Sequence, residues 1–150
     1  MNTLAKHLLA DLYGCRPAST VDKDAVEGMV ADKLQNAGYT ILKISSEHIA
    51  ENYAIVTAVF NQGHVNVHIY ADLKHVATDI FLNGNNAEPE MLFKEIRNFF
   101  KPEKTRITVL KRGDFKQGSD MKPQTKTRVA PLRKIHNTGA KVIRTLARRK

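Results

Sequence analysis

Six histidines, one cysteine and one short polar-apolar run carry most of the chemistry open to this 150-residue chain. In Gln62-Gly63-His64-Val65-Asn66-Val67-His68-Ile69-Tyr70-Ala71-Asp72, the apolar Val65, Val67 and Ile69 alternate with His64, Asn66, His68 and Tyr70. A period of two is that of a strand, so His64 and His68 share one face. At i and i+4 on an extended strand they stand about 13 Å apart, too far to share one ion. Packing or hydrogen bonding is the expected role of the pair. His7 and His75 add no ligand spacing, and no metal site is expected. Cys15 has no legible histidine partner and reads as a structural thiol. Asp72 and Tyr70 are ligand-binding candidates if a pocket survives beside them; a solvated loop and an ordinary strand aromatic are the plainer readings. Gly63 fits a tight backbone position, and none of the glycines has the strand-to-helix register of a phosphate-binding loop.

The elements that must position these groups are legible from periodicity. Leu4 to Tyr13 reads as a first strand stopped at Gly14. Asp22 is a plausible N-cap for a helix over Ala25 to Ala37, where Val26, Met29, Val30 and Leu34 recur at helical spacing before Gly38. Tyr39 to Ser45, Tyr53 to Phe60, the run ending at Tyr70, and His75 to Phe81 read as four successive strands. The turn Asn83-Gly84-Asn85-Asn86 leads to a helix over Pro89 to Phe100 with an apolar stripe of Met91, Leu92, Ile96 and Phe99. Thr105 to Leu110 is the last expected strand. This order implies an α+β fold, a two-layer α/β sandwich whose mainly antiparallel sheet carries its helices on one face.

Charge divides the chain. Residues 1–100 carry 8 Lys or Arg against 12 Asp or Glu, whereas residues 101–150 carry 16 against 3. The pattern is that of a folded body over residues 1–112 and a basic C-terminal extension over 113–150. Lys116 to Arg128 is expected to be extended or mobile, and Gly139 to Lys150 has a helical apolar stripe of Val142, Ile143, Leu146 and Ala147. Lys122, Lys126, Arg128, Arg133, Lys134, Lys141, Arg144, Arg148, Arg149 and Lys150 form the candidate polyanion-binding set. Nucleic acid or an acidic protein surface would satisfy it. The extension from residue 121 has no aromatic residue for base stacking, so sequence-specific reading is not expected. One cysteine excludes an intrachain disulfide, and no long apolar run suggests a membrane span, so a cytoplasmic protein, or part of an intracellularly assembled particle, is expected.

Four segments, in order and at comparable spacing, resemble the prokaryotic S-adenosylmethionine decarboxylases. They are Lys6-His7-Leu8-Leu9-Ala10-Asp11-Leu12-Tyr13-Gly14-Cys15, the run from Gly63 to Asp72, Ala77-Thr78-Asp79-Ile80-Phe81-Leu82-Asn83-Gly84, and Phe99-Phe100-Lys101-Pro102. The second is similar to the family's Glu-Ser-His-Leu-Ser-Ile-His-Thr-Trp-Pro-Glu, whose serine becomes a pyruvoyl cofactor, and the third to Ala-Ile-Asp-Leu-Phe-Thr-Cys-Gly. The resemblance implies a self-processing, pyruvoyl-dependent enzyme of spermidine synthesis that forms oligomers through its sheets.

This chain departs from that pattern where the chemistry begins. Gly63 stands at the serine position, Gln62 at the preceding glutamate, Asn83 at the cysteine thought to protonate the product, and Ile55 at a second processing serine, while the processing histidine is kept as His68. Chain cleavage requires an oxygen on the β-carbon of residue 63, and a carboxamide is no acid at neutral pH. The expectation is therefore no catalytic residues and no cofactor: a non-catalytic homologue acting as a binding or assembly protein, a homo-oligomer with the basic arm as its contact. Alternative readings are an S-adenosylmethionine decarboxylase of spermidine biosynthesis with a variant processing site, a regulatory paralogue of the active enzyme, and a sensor that keeps the ligand without turnover.

Overall fold

The computed structural model describes residues 3–16, 22–113 and 123–130. Seven strands and two helices follow in chain order: β1 (Ala5–Tyr13), α1 (Lys23–Asn36), β2 (Ile41–Ala50), β3 (Tyr53–Phe60), β4 (Gly63–Tyr70), β5 (His75–Asn83), α2 (Pro89–Phe100), β6 (Lys104–Arg112) and β7 (Gln124–Val129). They form one sheet in the order β2-β3-β4-β5-β1-β6-β7, every neighbouring pair antiparallel. The α+β two-layer architecture expected from the sequence is what the chain adopts.

Alternation decides which face is covered. Leu8, Ala10 and Leu12 of β1, Val56 and Ala58 of β3, Val65, Val67 and Ile69 of β4, and Val76, Ile80 and Leu82 of β5 are all buried, and they form one core with residues of α1 and α2. The odd positions of β1 and β5 and the even positions of β4 therefore look out from the opposite face, on which neither helix lies. Burying these branched side chains is the main force holding the helices to the sheet, at roughly 1.5–3 kcal/mol for each large aliphatic residue.

The helices keep their expected registers. Asp22 caps α1, its carboxylate accepting from the backbone amides of Asp24 and Ala25 at 2.9 and 3.2 Å. Val26, Met29, Val30 and Leu34 face inward as predicted. In α2, Leu92 and Ile96 are buried, joined by Phe93 and Phe100, whereas Met91 is 67% exposed. A stripe at 92, 93, 96 and 100 centres one residue later than the sequence reading placed it, which rotates Met91 out of the interface.

Strand boundaries differ mostly by extension. β2 continues past Ser45 to Ala50 because it pairs with β3 along almost its whole length, with register irregularities between Ile41 and Lys43 and between His48 and Ala50. Within the stretch expected to be extended or mobile, Gln124–Val129 is a strand that pairs with β6, so the sheet includes residues beyond position 112. The Thr108 and Thr125 hydroxyls bond across that ladder at 2.9 Å. The helical stripe over Gly139 to Lys150 lies outside the described residues.

Candidate functional site

Most of the polar groups singled out by type gather on the helix-free face, in two clusters. The first spans β1, β5 and β4. Antiparallel pairing sets Phe81 opposite both His7 and His64, and Asp79 lies two residues along β5 on the same face. Both histidines lean diagonally toward it. His7 Nε2 is 2.9 Å and His64 Nε2 3.4 Å from the same Oδ2 of Asp79. Arg112 Nη1 lies 3.2 Å from His7 Nδ1. A guanidinium can only donate, so Nδ1 of His7 accepts and its Nε2–H donates to the Asp79 carboxylate. Phe81 supports both rings, at centroid distances of 5.3 Å to His7 and 5.6 Å to His64.

The second cluster lies toward the other end of the same strands. His68 shares a hydrogen bond of 2.8 Å between its Nδ1 and the Tyr53 hydroxyl. Tyr53 stacks on Tyr70 at 4.6 Å and 11°. Burial, then the neighbouring Tyr70 hydroxyl, raises the Tyr53 phenol above its ordinary value, so it stays neutral. His75 holds Asp11 at 3.2 Å through Nε2, and its buried Nδ1 has no hydrogen-bond partner among the described residues. Asp72 is not a free carboxylate: it accepts from Asn52 Nδ2 at 2.8 Å and ties the β2–β3 turn to the β4–β5 turn. Ile55 faces His68 directly across the β3–β4 ladder, an apolar side chain with nothing to donate.

Gly63, Gln62 and Asn83 lie elsewhere, at the opposite end of β4 from Tyr70. The Asn83 amide donates to the Gln62 carbonyl at 2.8 Å. Gln62 and Asn83 line a cavity of about 870 Å³ with Tyr39, Leu82, Asn86 and Leu92, between the ends of the two helices and the sheet. Gly63 opens β4 in register with Leu82 and Phe60, whose side chains belong to the buried face, whereas His68 looks out from the other face. Five residues of strand separate the two positions by about 16 Å. The fold thus brings together residues 62, 63 and 83 but sets His68 apart from them.

Gly63 is also the tightest backbone position in the sheet. A Cβ added there would overlap the Phe81 carbonyl oxygen and stand 2.8 Å from its carbon, with φ at +155°. Residue 63 therefore has neither a β-oxygen nor room for one in this conformation, and the residues at this point do not fit a pyruvoyl group made from position 63. Cys15 behaves as expected of a structural thiol: it is 1% exposed, and burial pushes its pKa up to about 12.

Of the polyanion-binding candidates, Lys126 and Arg128 are on β7; Lys122, Arg133, Lys134, Lys141, Arg144, Arg148, Arg149 and Lys150 lie outside the described residues. Arg97 of α2 is held below the usual guanidinium range by burial and then by the charge of Arg128, so two cations crowd that edge of the fold.

Sequence spacing missed the cluster of His7, His64, Asp79 and Arg112, and it missed Tyr53. Each contact crosses strands 15 to 105 residues apart in sequence, and spacing within one strand is blind to them. The available signal was parity: once β1, β4 and β5 are aligned antiparallel, residues 7, 64, 79 and 81 must share a face.

Comparison with known proteins follows the same lines as the fold. The model of a family described as S-adenosylmethionine decarboxylase matches residues 6–113. The S-adenosylmethionine decarboxylase proenzyme of Methanococcus maripaludis is 30% identical over 118 residues, which cover 79% of this chain and 97% of that protein. The proenzyme of Clostridium kluyveri is 25% identical over 122 residues, covering 81% and 97%. The crystal structure of the adenosylmethionine decarboxylase from Aquifex aeolicus superposes with a TM-score of 0.71 at 18% identity, covering 81% of this chain and 100% of that one, a likeness of fold. These relatives correct one expectation. Homologues in this family are pyruvoyl-dependent, with the group formed from the protein itself, so the expectation of a chain without any cofactor does not stand. That expectation equated the lack of a β-oxygen at one position with the lack of any cofactor, which does not follow from it.

Proposed function

This chain belongs to the S-adenosylmethionine decarboxylase family, and on that premise we propose that it serves S-adenosylmethionine decarboxylation in spermidine biosynthesis as a regulatory paralogue. In this reading it assembles in the cytoplasm with a serine-bearing copy of the family. The single observation that carries the reading is Gly63, which lacks the β-oxygen and whose Cβ position is taken by the Phe81 carbonyl. Two further features support it. The helix-free sheet face keeps a hydrogen-bonded His68–Tyr53 pair and a stacked Tyr53–Tyr70 platform suited to an aromatic ligand ring. Asn83 and Ile55 replace the family's proton donor and second processing serine with groups that cannot do either task.

The test combines intact-mass spectrometry of the purified chain with carbon dioxide release from S-adenosylmethionine by a serine-bearing family member, alone and mixed with this chain. The expected result is one uncleaved mass and a several-fold change in the partner's turnover. Two fragments, or carbon dioxide release by this chain alone, would make it a decarboxylase with a variant processing site. An unchanged partner rate would remove the regulatory reading.

The basic arm supports a second contact. Arg97 lies within the field of Arg128, and residues 101–150 carry 16 cations against 3 acids. This favours a polyanionic partner, nucleic acid or an acidic protein surface, bound with an affinity that falls steeply with salt. A salt titration of binding to a generic duplex DNA reads it out; affinity independent of salt would argue against it.

A further inference from the structure

We infer that His7, His64 and Asp79 form a site for one divalent transition-metal ion of the zinc class. The site is distinct from the cavity at Gln62 and Asn83 and independent of the regulatory reading. The two imidazole nitrogens and the carboxylate oxygen lie within 4.8 Å of one another, on three adjacent strands. An ion held at about 2.0–2.1 Å in tetrahedral geometry needs its ligand atoms about 3.3 Å apart. The two His–Asp spacings are 2.9 and 3.4 Å. Side-chain exposures of 16% for His7, 20% for Asp79 and 37% for His64 leave one side of the cluster open on the helix-free face, where a fourth ligand, water or substrate, can enter. Two histidines and one carboxylate are a borderline donor set, suited to zinc, cobalt or nickel rather than calcium or magnesium. The rings are already aimed by Phe81, so little side-chain entropy opposes binding.

Arg112 opposes it. With the metal absent, the guanidinium donates to His7 Nδ1 and the ring proton sits on Nε2. Coordination through Nε2 moves that proton to Nδ1, which then faces a group that has only donors. The ring keeps one proton throughout, and Arg112 must swing away from Nδ1, giving up a guanidinium position that already lies over the Phe81 ring, 5.9 Å from its centroid. Arg112 is thus a gate on affinity. Replacing it with glutamine supplies an acceptor for Nδ1–H, the outer-shell partner that metal-bound histidines usually have.

The experiment is a zinc titration of the full chain by calorimetry, with cobalt substitution followed by visible absorption. One ion per chain is expected. His64→Ala and Asp79→Asn should each weaken binding at least about tenfold, and Arg112→Gln should strengthen it. His48→Ala and His136→Ala should leave it unchanged. Circular dichroism checks the fold of each variant; should Asp79→Asn fail to fold, the more exposed His64 decides alone. Absence of stoichiometric binding, or binding that survives His64→Ala, overturns the site, as does binding abolished by His136→Ala.

Discussion

Restoring a side chain at position 63 tests the reasoning about Gly63 more sharply than any activity measurement. The Cβ of Gly63→Ala would fall 2.8 Å from the Phe81 carbonyl carbon and closer still to its oxygen, where ordinary contact begins at 3.4 Å. The overlap with the oxygen is the limiting one, so the backbone of β4 or β5 must move by more than about an ångström. Phe81 pairs with both His7 and His64, so the shift would be felt across three strands. Overpacking of this kind costs typically 1–3 kcal/mol, and loosening one ladder hydrogen bond adds about 1 kcal/mol. The expected loss is about 2–4 kcal/mol. With a urea slope of about 2 kcal/mol/M, the unfolding midpoint should fall by roughly 1–2 M at unchanged slope. Gly63→Ser should fall by a similar amount and remain a single uncleaved mass, because Ile55 still stands at the second processing position and His68 lies on the other face of the sheet. A variant as stable as the parent to within about 0.5 kcal/mol would refute the steric argument. Spontaneous cleavage of Gly63→Ser would refute the claim that Ile55 and the placement of His68 prevent processing.

Tyr53→Phe removes the hydroxyl bonded to His68 and should cost about 1 kcal/mol in urea unfolding while leaving the Tyr70 stack in place; a neutral result would mean that water replaces the bond. Cys15 titrates at about 12 in the fold against 9.0 ordinarily. Its burial thus contributes stability that is fully present below pH 9 and is lost progressively as pH rises toward 12. Comparing urea midpoints at pH 8 and pH 10.5, Cys15→Ala should show a smaller alkaline loss than the parent; parallel losses would contradict this assignment. Leu34→Ala empties a fully buried position of α1 and should cost about 2–5 kcal/mol, measured as a lower midpoint; a loss under 1 kcal/mol would mean that α1 repacks freely. Arg97→Gln with Arg128→Gln should remove two neighbouring cations and flatten the salt dependence of duplex binding, whereas an unchanged salt slope would place the polyanion contact elsewhere.

Local pattern settled a good deal of this molecule. The alternation of Val65, Val67 and Ile69 with His64, Asn66 and His68 specified both β4 and the face each side chain would take, because a strand with one buried face has a single acceptable register. Asp22 and the 26-29-30-34 spacing fixed α1, and Gly63 announced in the sequence itself that no β-oxygen exists at that position. Tertiary structure decided what no spacing within one segment could. It set Phe81 between His7 and His64, gave both histidines to one oxygen of Asp79, and handed Asp72 to Asn52. It also drew Gln124–Val129 into the sheet, since a free edge on β6 offers unpaired backbone groups that a polar, basic segment can satisfy as well as an apolar one. Side-chain type and period are properties of neighbours along the chain, whereas a site is a property of neighbours across it. Only strand order and register convert the first into the second.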